Sequence, residues 1–170
     1  MGAPLDSALD ISVFGDAGIP RCRGVRGHRA DPRTTPARLA AAVSARRRVG
    51  AAHLRLALPL IRQDAWSPME SLCRFILVTS GLPEPVLNLD AHGRDGGFLA
   101  CVDIAYPDHR IAIEYQGQVH GQQYARDIER LEALRHAGWI VIQVSSALIG
   151  RRDQLVARVR AALTSRGWRP

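Results

Sequence analysis

Two carboxylates, Asp103 and Glu114, stand on either side of the turn-forming segment Pro107-Asp108-His109. The flanking runs, residues 98–106 and 110–117, are short and rich in apolar and β-branched side chains. Such runs on both sides of a tight turn predict an antiparallel hairpin. Because the two acids are spaced evenly about the turn, we expect them to lie close together on neighbouring strands.

The position of the turn fixes the register of this hairpin. A turn centred on Asp108 and His109 pairs Tyr106 with Ile111, Ile104 with Ile113, and Asp103 with Glu114. Alternation along the strands then places both acids on one face, beside small residues. Like charges in directly opposed positions destabilise a sheet. A Mg²⁺ ion, commonly held by one or two carboxylates and by substrate phosphate, would relieve the repulsion. The alternative is a solvated face where two acids meet, or an acid paired with a nearby Arg.

The remaining patterns predict the elements that position this pair. Ser67, Pro68 and Glu70 form a capping-box signature for a helix that ends at Gly81. The other predicted elements are helices over 35–45, 49–61 and 122–137, strands over 86–90, 98–106, 110–117 and 139–144, and a last helix from about 153. The apolar run at 139–144 is typical of a strand buried on both faces. The order predicts an α/β fold with a mixed β-sheet, in which a three-stranded antiparallel meander is joined by a fourth strand and flanked by helices.

Several segments, in this order and spacing, resemble a known family. They are Ser67-Pro68-Met69-Glu70-Ser71, Val102-Asp103-Ile104-Ala105-Tyr106-Pro107, Ile113-Glu114-Tyr115-Gln116-Gly117, Arg126-Asp127-Ile128 and Gly138-Trp139-Ile140-Val141-Ile142. The family consists of bacterial proteins of unknown function related to the very-short-patch-repair endonucleases, within the PD-(D/E)XK superfamily. The resemblance covers about 100 residues from Ser67 onward. It implies a restriction-endonuclease-like core and hydrolysis of DNA phosphodiester bonds.

The resemblance also implies site residues. Asp103 corresponds to the metal-binding aspartate, Glu114 to the acid of the E-x-K element, and Glu70 to the acid on the first helix. Glu70 is equally explained as the capping partner of Ser67. Gln116 stands at the lysine position of E-x-K, where relatives usually carry Asp. A neutral amide can orient water or bind metal through its oxygen, but it supplies no charge.

Three further residues have both a functional and a structural interpretation. His120 fits a general base or a phosphate contact, or a loop histidine bonded to backbone. Arg126 and Arg130, one turn apart on a predicted helix, could grip DNA phosphate. They could equally pair with Asp127 and Glu129 on a solvated face.

Composition points to nucleic acid as the partner class. The formal net charge is +7, and all 23 basic residues are Arg. Guanidinium groups pair with phosphate through two parallel hydrogen bonds, so this surface suits DNA. No apolar run approaches membrane-spanning length, and the first residues lack a secretory signal, so the expected location is the cytoplasm, without a membrane partner. The sequence leaves the oligomeric state open.

The chain divides into an irregular Arg-, Gly- and Pro-rich remnant over 1–48, a connecting helix over 49–66, and an endonuclease-like domain over 67–166. The leading functional hypothesis is a DNA endonuclease dependent on Mg²⁺ or Mn²⁺. The alternative is a degenerate nuclease fold that binds nucleic acid without cleaving it. A fragment without an independent role is a third possibility.

Overall fold

A computed structural model describes residues 35–45, 51–62, 65–116 and 121–170, without the side chains of residues 45, 54 and 121–125. Most of the predicted 1–48 remnant and His120 lie outside the described residues. The chain falls into two compact units, and the division comes between Phe75 and Ile76. Among the described residues, no helix is long and apolar enough to cross a membrane.

The described part of the first unit is helical. It contains α1 (Pro36–Ala45), α2 (Ala51–Ala57) with a 3-10 turn over Leu58–Leu60, and the first residues of α3 (Pro68–Thr79). These helices agree closely with the predicted ones.

The start of α3 follows the predicted capping box. The Glu70 N–H donates to Ser67 Oγ at 3.1 Å, and the Glu70 carboxylate accepts the Trp66 N–H at 2.7 Å. Glu70 thus reaches one residue beyond the usual partner, the N-cap residue itself. The helix ends as predicted before Gly81, whose φ of +80° is left-handed.

The second unit contains a four-stranded mixed sheet, which confirms the predicted α/β class. Its strands, in the order β1-β2-β3-β4, are β1 (Val86–His92), β2 (Phe98–Tyr106), β3 (Ile111–Tyr115) and β4 (Ile140–Val144). The first three strands form an antiparallel meander, and β4 runs parallel to β3. Helix α4 (Gly121–His136) connects β3 to β4 and packs against β2 and β4. Helices α5 (Ser146–Ile149) and α6 (Arg152–Ser165) follow, and α6 packs against β4.

The core lies on both sides of the central strands. On one face, Ile104, Ile111 and Ile113 are completely buried. On the other, Ala105 and Ala112 pair across β2 and β3 and belong to the same buried cluster as Leu134 of α4. The small side chains allow the helix to approach the sheet closely, which brings the polar residues of α4 to this face.

The predicted burial of the fourth strand on both faces is wrong. Among the described strands, β4 pairs only with β3 and lies at the sheet edge. Ile140, Val141 and Ile142 are half-buried, and Gln143 is exposed. An apolar run indicates that a strand is at least partly buried, but it does not distinguish a central strand from an edge strand. The short helix α5 was not predicted. It begins at Ser145, whose Oγ accepts the Leu148 N–H at 3.3 Å.

Candidate functional site

The hairpin of β2 and β3 positions the two predicted acids. Its register is the predicted one, with Tyr106 opposite Ile111 and Ile104 opposite Ile113. Extended by one step beyond its paired residues, the same register would set Asp103 opposite Glu114. At this step the Asp103 side chain takes part in the pairing, because the Tyr115 N–H donates to Asp103 Oδ2 at 2.9 Å. The acids therefore lie on the face shared with Ala105 and Ala112, where the β2–β3 ladder ends.

Beyond the end of the β2–β3 ladder, strand β3 stays paired with β4. Glu114 is opposite Gln143 of β4, and the Gln116 N–H donates to the Val144 oxygen at 2.8 Å. The Glu114 backbone is thus held by β4 while its side chain projects toward α4. The pairing with β4 therefore fixes the backbone of a carboxyl-bearing residue in a strand whose other residues are apolar or aromatic.

Helix α4 supplies a basic partner to the pair. Arg130 Nη1 lies 2.9 Å from Glu114 Oε2 and donates also to the Cys101 carbonyl oxygen at 3.2 Å. Arg130 Nε lies 3.7 Å from Asp127 Oδ1, three residues earlier on the helix. The Arg130 side chain is 30% exposed, whereas that of Glu114 is 5% exposed. The guanidinium therefore joins the helix, β2 and the buried carboxyl, and keeps part of its surface in solvent.

Glu114 is in an energetically unfavourable position for a charged group. Burial, and next the neighbouring Asp103, raise the pKa of Glu114 from 4.5 to about 8, although Arg130 acts in the opposite direction. The 2.9 Å contact suggests a full ion pair, but the raised pKa means that this carboxyl is mostly protonated at neutral pH. Burial and Asp103 together outweigh the single guanidinium, so the pKa of Glu114 stays raised. The two carboxyls together then carry closer to one negative charge than two.

One oxygen of the pair is available to a ligand. Glu114 Oε1 is buried and has no hydrogen-bond partner among the described residues. A buried oxygen without a partner is costly, and a hard cation beside Asp103 would satisfy it. The described ranges contain no group of three or more His, Cys, Asp or Glu side chains that could hold a metal ion. The residues present fit Mg²⁺ bound by two carboxylates, with water and substrate phosphate as its other ligands.

Besides the acid pair and Arg130, the structure describes three other predicted site residues. Glu70 belongs to the first unit, where it is buried and bonded to the Trp66 N–H. Gln116 follows the end of β3 with an exposed side chain, and Arg126 is exposed on α4. Of the two predicted interpretations of Arg130, the pairing with Asp127 is present in the structure, and the bond to Glu114 is additional.

Two features of the site were missed by the sequence analysis. The first is the Arg130–Glu114 bond, which joins residues 16 positions apart and depends on how α4 packs. The second is Asp90 on β1, which pairs with Cys101 and so shares the face of Asp103; its Oδ1 is buried without a partner in the described part of the chain. Counting back from the hairpin loop at Gly93–Gly97 would have placed Asp90 there, but the left-handed Asn88, at φ +48°, interrupts the strand pattern.

Comparison with known proteins gives relatives without a described function. The chain is 36% identical over 118 residues to an uncharacterized protein of Mycobacterium tuberculosis strain CDC 1551 / Oshkosh, and equally to the uncharacterized protein Rv2248 of strain H37Rv. Each match covers 67% of this chain and 43% of the relative, so the chain spans less than half the length of these curated relatives. No family model and no solved structure matches the chain.

Proposed function

We propose that the chain contains a DNA endonuclease domain with a restriction-endonuclease-like core, in which Asp103 and Glu114 hold Mg²⁺ or Mn²⁺. One observation carries the proposal: a buried Glu114 beside a second carboxylate, with a raised pKa and an unpartnered oxygen. Without a bound ligand, this arrangement lowers the stability of the fold. A divalent cation would offset that cost, and perturbed carboxyls of this kind concentrate at functional sites.

The fold supports the same proposal. The predicted mixed sheet, a three-stranded antiparallel meander joined by a fourth strand and flanked by helices, is present in β1 to β4 and is compatible with the core that the resemblance implies. The metal-binding aspartate and the E-x-K acid of the family correspond to Asp103 and Glu114, the two acids that share a sheet face. A bacterial DNA substrate would imply a cytoplasmic location.

In this proposal each residue has a limited role. A bound Mg²⁺ supplies a Lewis acid that polarises the phosphate and lowers the pKa of the attacking water. Asp103 and Glu114 provide its carboxylate ligands, and Gln116, with its exposed amide, orients water. His120 assists proton transfer, and Arg126 and Arg130 contact the DNA backbone. Glu70 acts as a helix cap, because its carboxylate already accepts the Trp66 N–H at 2.7 Å.

The test is cleavage of plasmid and single-stranded DNA with Mg²⁺ and with Mn²⁺. We expect nicking or linearisation by the wild type and loss of at least about 100-fold in Asp103→Ala, as for removal of a group on which a reaction depends. Asp108→Ala removes an exposed acid of the same hairpin and should retain wild-type activity. Activity in Asp103→Ala equal to the wild type would refute the proposed centre.

A second candidate is a degenerate nuclease fold that binds nucleic acid. It is favoured by the neutral Gln116 and by the Arg130 guanidinium, which already occupies one Glu114 oxygen. Gln116→Asp distinguishes the candidates, because Mg²⁺ prefers anionic oxygen and the added acid should raise cation affinity. An inactive wild type with an active Gln116→Asp variant identifies a degenerate nuclease. If the wild type is active and Gln116→Ala is inactive, the Gln116 amide contributes to activity. No effect of either substitution on cation binding or cleavage would exclude Gln116 from the site.

A further inference from the structure

The bond between Arg130 and Glu114 places a fixed positive charge where the proposed cation would bind. Nη1 contacts both Glu114 Oε2 and the Cys101 oxygen, while Asp127 lies beside Nε. Since the Glu114 side chain is almost fully buried and the Arg130 side chain is 30% exposed, the guanidinium has a route into solvent that the carboxyl lacks.

We propose that Arg130 is the internal counter-ion of the carboxyl pair, and that a divalent cation displaces its guanidinium from Glu114 and frees it to bind a DNA phosphate. This inference rests on the proposed function, because it requires a cation at Asp103 and Glu114. It goes beyond that function by coupling the cation to one particular DNA contact. Arg130 is a positioning residue until the cation binds and a phosphate ligand afterwards.

Electrostatics gives the direction of the effect. A guanidinium bonded to Glu114 repels a cation on the same carboxyl, and the repulsion on a divalent ion is twice that on a competing proton. Loss of the Arg130 charge should therefore strengthen cation binding even though it also favours protonation of the acid. In the absence of a cation, the same loss should destabilise the fold, because it leaves buried polar groups without their partner.

The freed side chain is suited to phosphate. Guanidinium forms bidentate, charge-assisted bonds with phosphate oxygens, and these compensate for the bonds lost to Glu114 and Cys101. The movement needs only side-chain rotation, since α4 stays packed against β2 and β4. By linkage, if the cation strengthens DNA binding, DNA must strengthen cation binding by the same factor.

The first experiment measures Mg²⁺ binding by calorimetry without DNA, in the wild type, Arg130→Gln and Arg130→Lys. We expect Arg130→Gln to bind about tenfold more tightly or better, because a like charge is removed. Arg130→Lys keeps the charge and should stay near the wild type. Tighter binding only in Arg130→Gln supports the exchange. Equal or weaker binding in Arg130→Gln, with a binding wild type, overturns the exchange and leaves the proposed function standing.

Three further outcomes bear on the inference and on the proposed function. If the wild type does not bind Mg²⁺ but Arg130→Gln does, the exchange is overturned, because the cation does not displace the guanidinium, and the wild type is a degenerate module in which Arg130 blocks the metal site. If neither protein binds, both the exchange and the metal-dependent function are refuted. Arg130→Lys binding as tightly as Arg130→Gln would also overturn the inference, because the charge would then not be the cause.

A measurement on the wild type does not depend on whether Arg130→Gln folds. In nitrogen-detected NMR, the Arg130 guanidinium, assigned by its absence from Arg130→Lys, should show slowed rotation of its Nη groups without cation. Saturating Mg²⁺ should release it and average these signals. Unchanged signals at saturation would contradict displacement.

The coupling to DNA is tested by titrating a short duplex with and without Ca²⁺, which replaces Mg²⁺ to limit cleavage. In the wild type, Ca²⁺ should strengthen DNA binding by roughly 5- to 150-fold, the usual range of coupling between sites. Arg130→Gln should lose most of this factor. Arg126→Gln is the matched control: it removes an exposed Arg one turn away and should weaken DNA binding equally with and without Ca²⁺. The same Ca²⁺ factor in all three proteins would overturn the proposal.

Discussion

At the residue scale, the raised pKa of Glu114 would make the proposed cation binding depend on pH. A cation must displace the proton that Glu114 holds below its pKa of about 8. We therefore expect Mg²⁺ affinity to rise by about tenfold for each pH unit between pH 6 and 8 and to level off above, because one proton is released. Calorimetry in buffers of different ionisation enthalpy measures this release directly. A constant affinity between pH 6 and 8 would show that Glu114 is not a ligand.

The same pKa predicts how stability varies with pH without a cation. The folded pKa of Glu114 is raised from 4.5 to about 8, so the folded state holds a proton that the unfolded state has lost. This contribution is complete below pH 4.5 and is lost as pH rises to about 8, with a slope of up to about 1.4 kcal/mol per pH unit for one proton. In urea unfolding, the unfolding free energy of Glu114→Gln should lack this dependence on pH. Above pH 8 the variant should be more stable than the wild type.

The comparison for that experiment is Glu129→Gln on α4, which removes an exposed acid without touching the pair. It should keep the wild-type dependence of unfolding free energy on pH. If Glu114→Gln and Glu129→Gln behave alike, the raised Glu114 pKa does not contribute to stability.

At the scale of secondary structure, the local signals in the sequence were sufficient for most of the fold. Strand β2 has the predicted bounds, and the Pro107–His109 turn gives the predicted register because alternation and turn length leave one pairing that buries the isoleucines. The start of α3 at Ser67 likewise depends on residues close together in the sequence. These features depend on residues only a few positions apart, and so a single sequence reveals them.

The remaining features depend on packing between distant segments. The edge position of β4 follows from which strands pair, and the Arg130–Glu114 bond follows from the approach of α4 to Ala105 and Ala112. The raised pKa of Glu114 arises from burial, which spacing alone does not give. The sequence therefore predicted which acids meet, but neither their protonation nor their basic partner.

Helix α3 allows a test of whether Glu70 is a cap or a metal ligand. Its carboxylate accepts the Trp66 N–H, and Ser67 accepts the Glu70 N–H. We expect Ser67→Ala and Glu70→Gln each to lower the unfolding free energy by about 1 kcal/mol, as for loss of a helix cap. Mg²⁺ affinity should be unchanged in both. Glu132→Gln, an exposed acid on α4, is the control for charge loss. Weaker Mg²⁺ binding in Glu70→Gln alone would make Glu70 a ligand.

At the scale of the whole molecule, the excess of arginine predicts how the chain would bind DNA under the proposed function. The net charge is +7, and every basic residue is Arg. The relatives of this chain are more than twice as long as the matched region. The affinity of the chain itself should therefore come mainly from phosphate contacts, with little dependence on base sequence.

Salt titration tests this last prediction, because each neutralised phosphate releases condensed counterions. The logarithm of the DNA association constant should fall linearly with the logarithm of salt concentration, with a slope of about −0.9 for each phosphate contact on duplex DNA. Arg126→Gln should weaken binding to all sequences alike and make the slope shallower by about one, since it removes one phosphate contact. Arg130→Gln should have the same effect only when Ca²⁺ is present, because without the cation its guanidinium is held by Glu114. Fluorescence anisotropy from 50 to 200 mM salt, on two unrelated duplexes, measures all of these slopes. An affinity that does not change with salt, or a slope that both substitutions leave unaltered, would show that these arginines do not contact the DNA backbone.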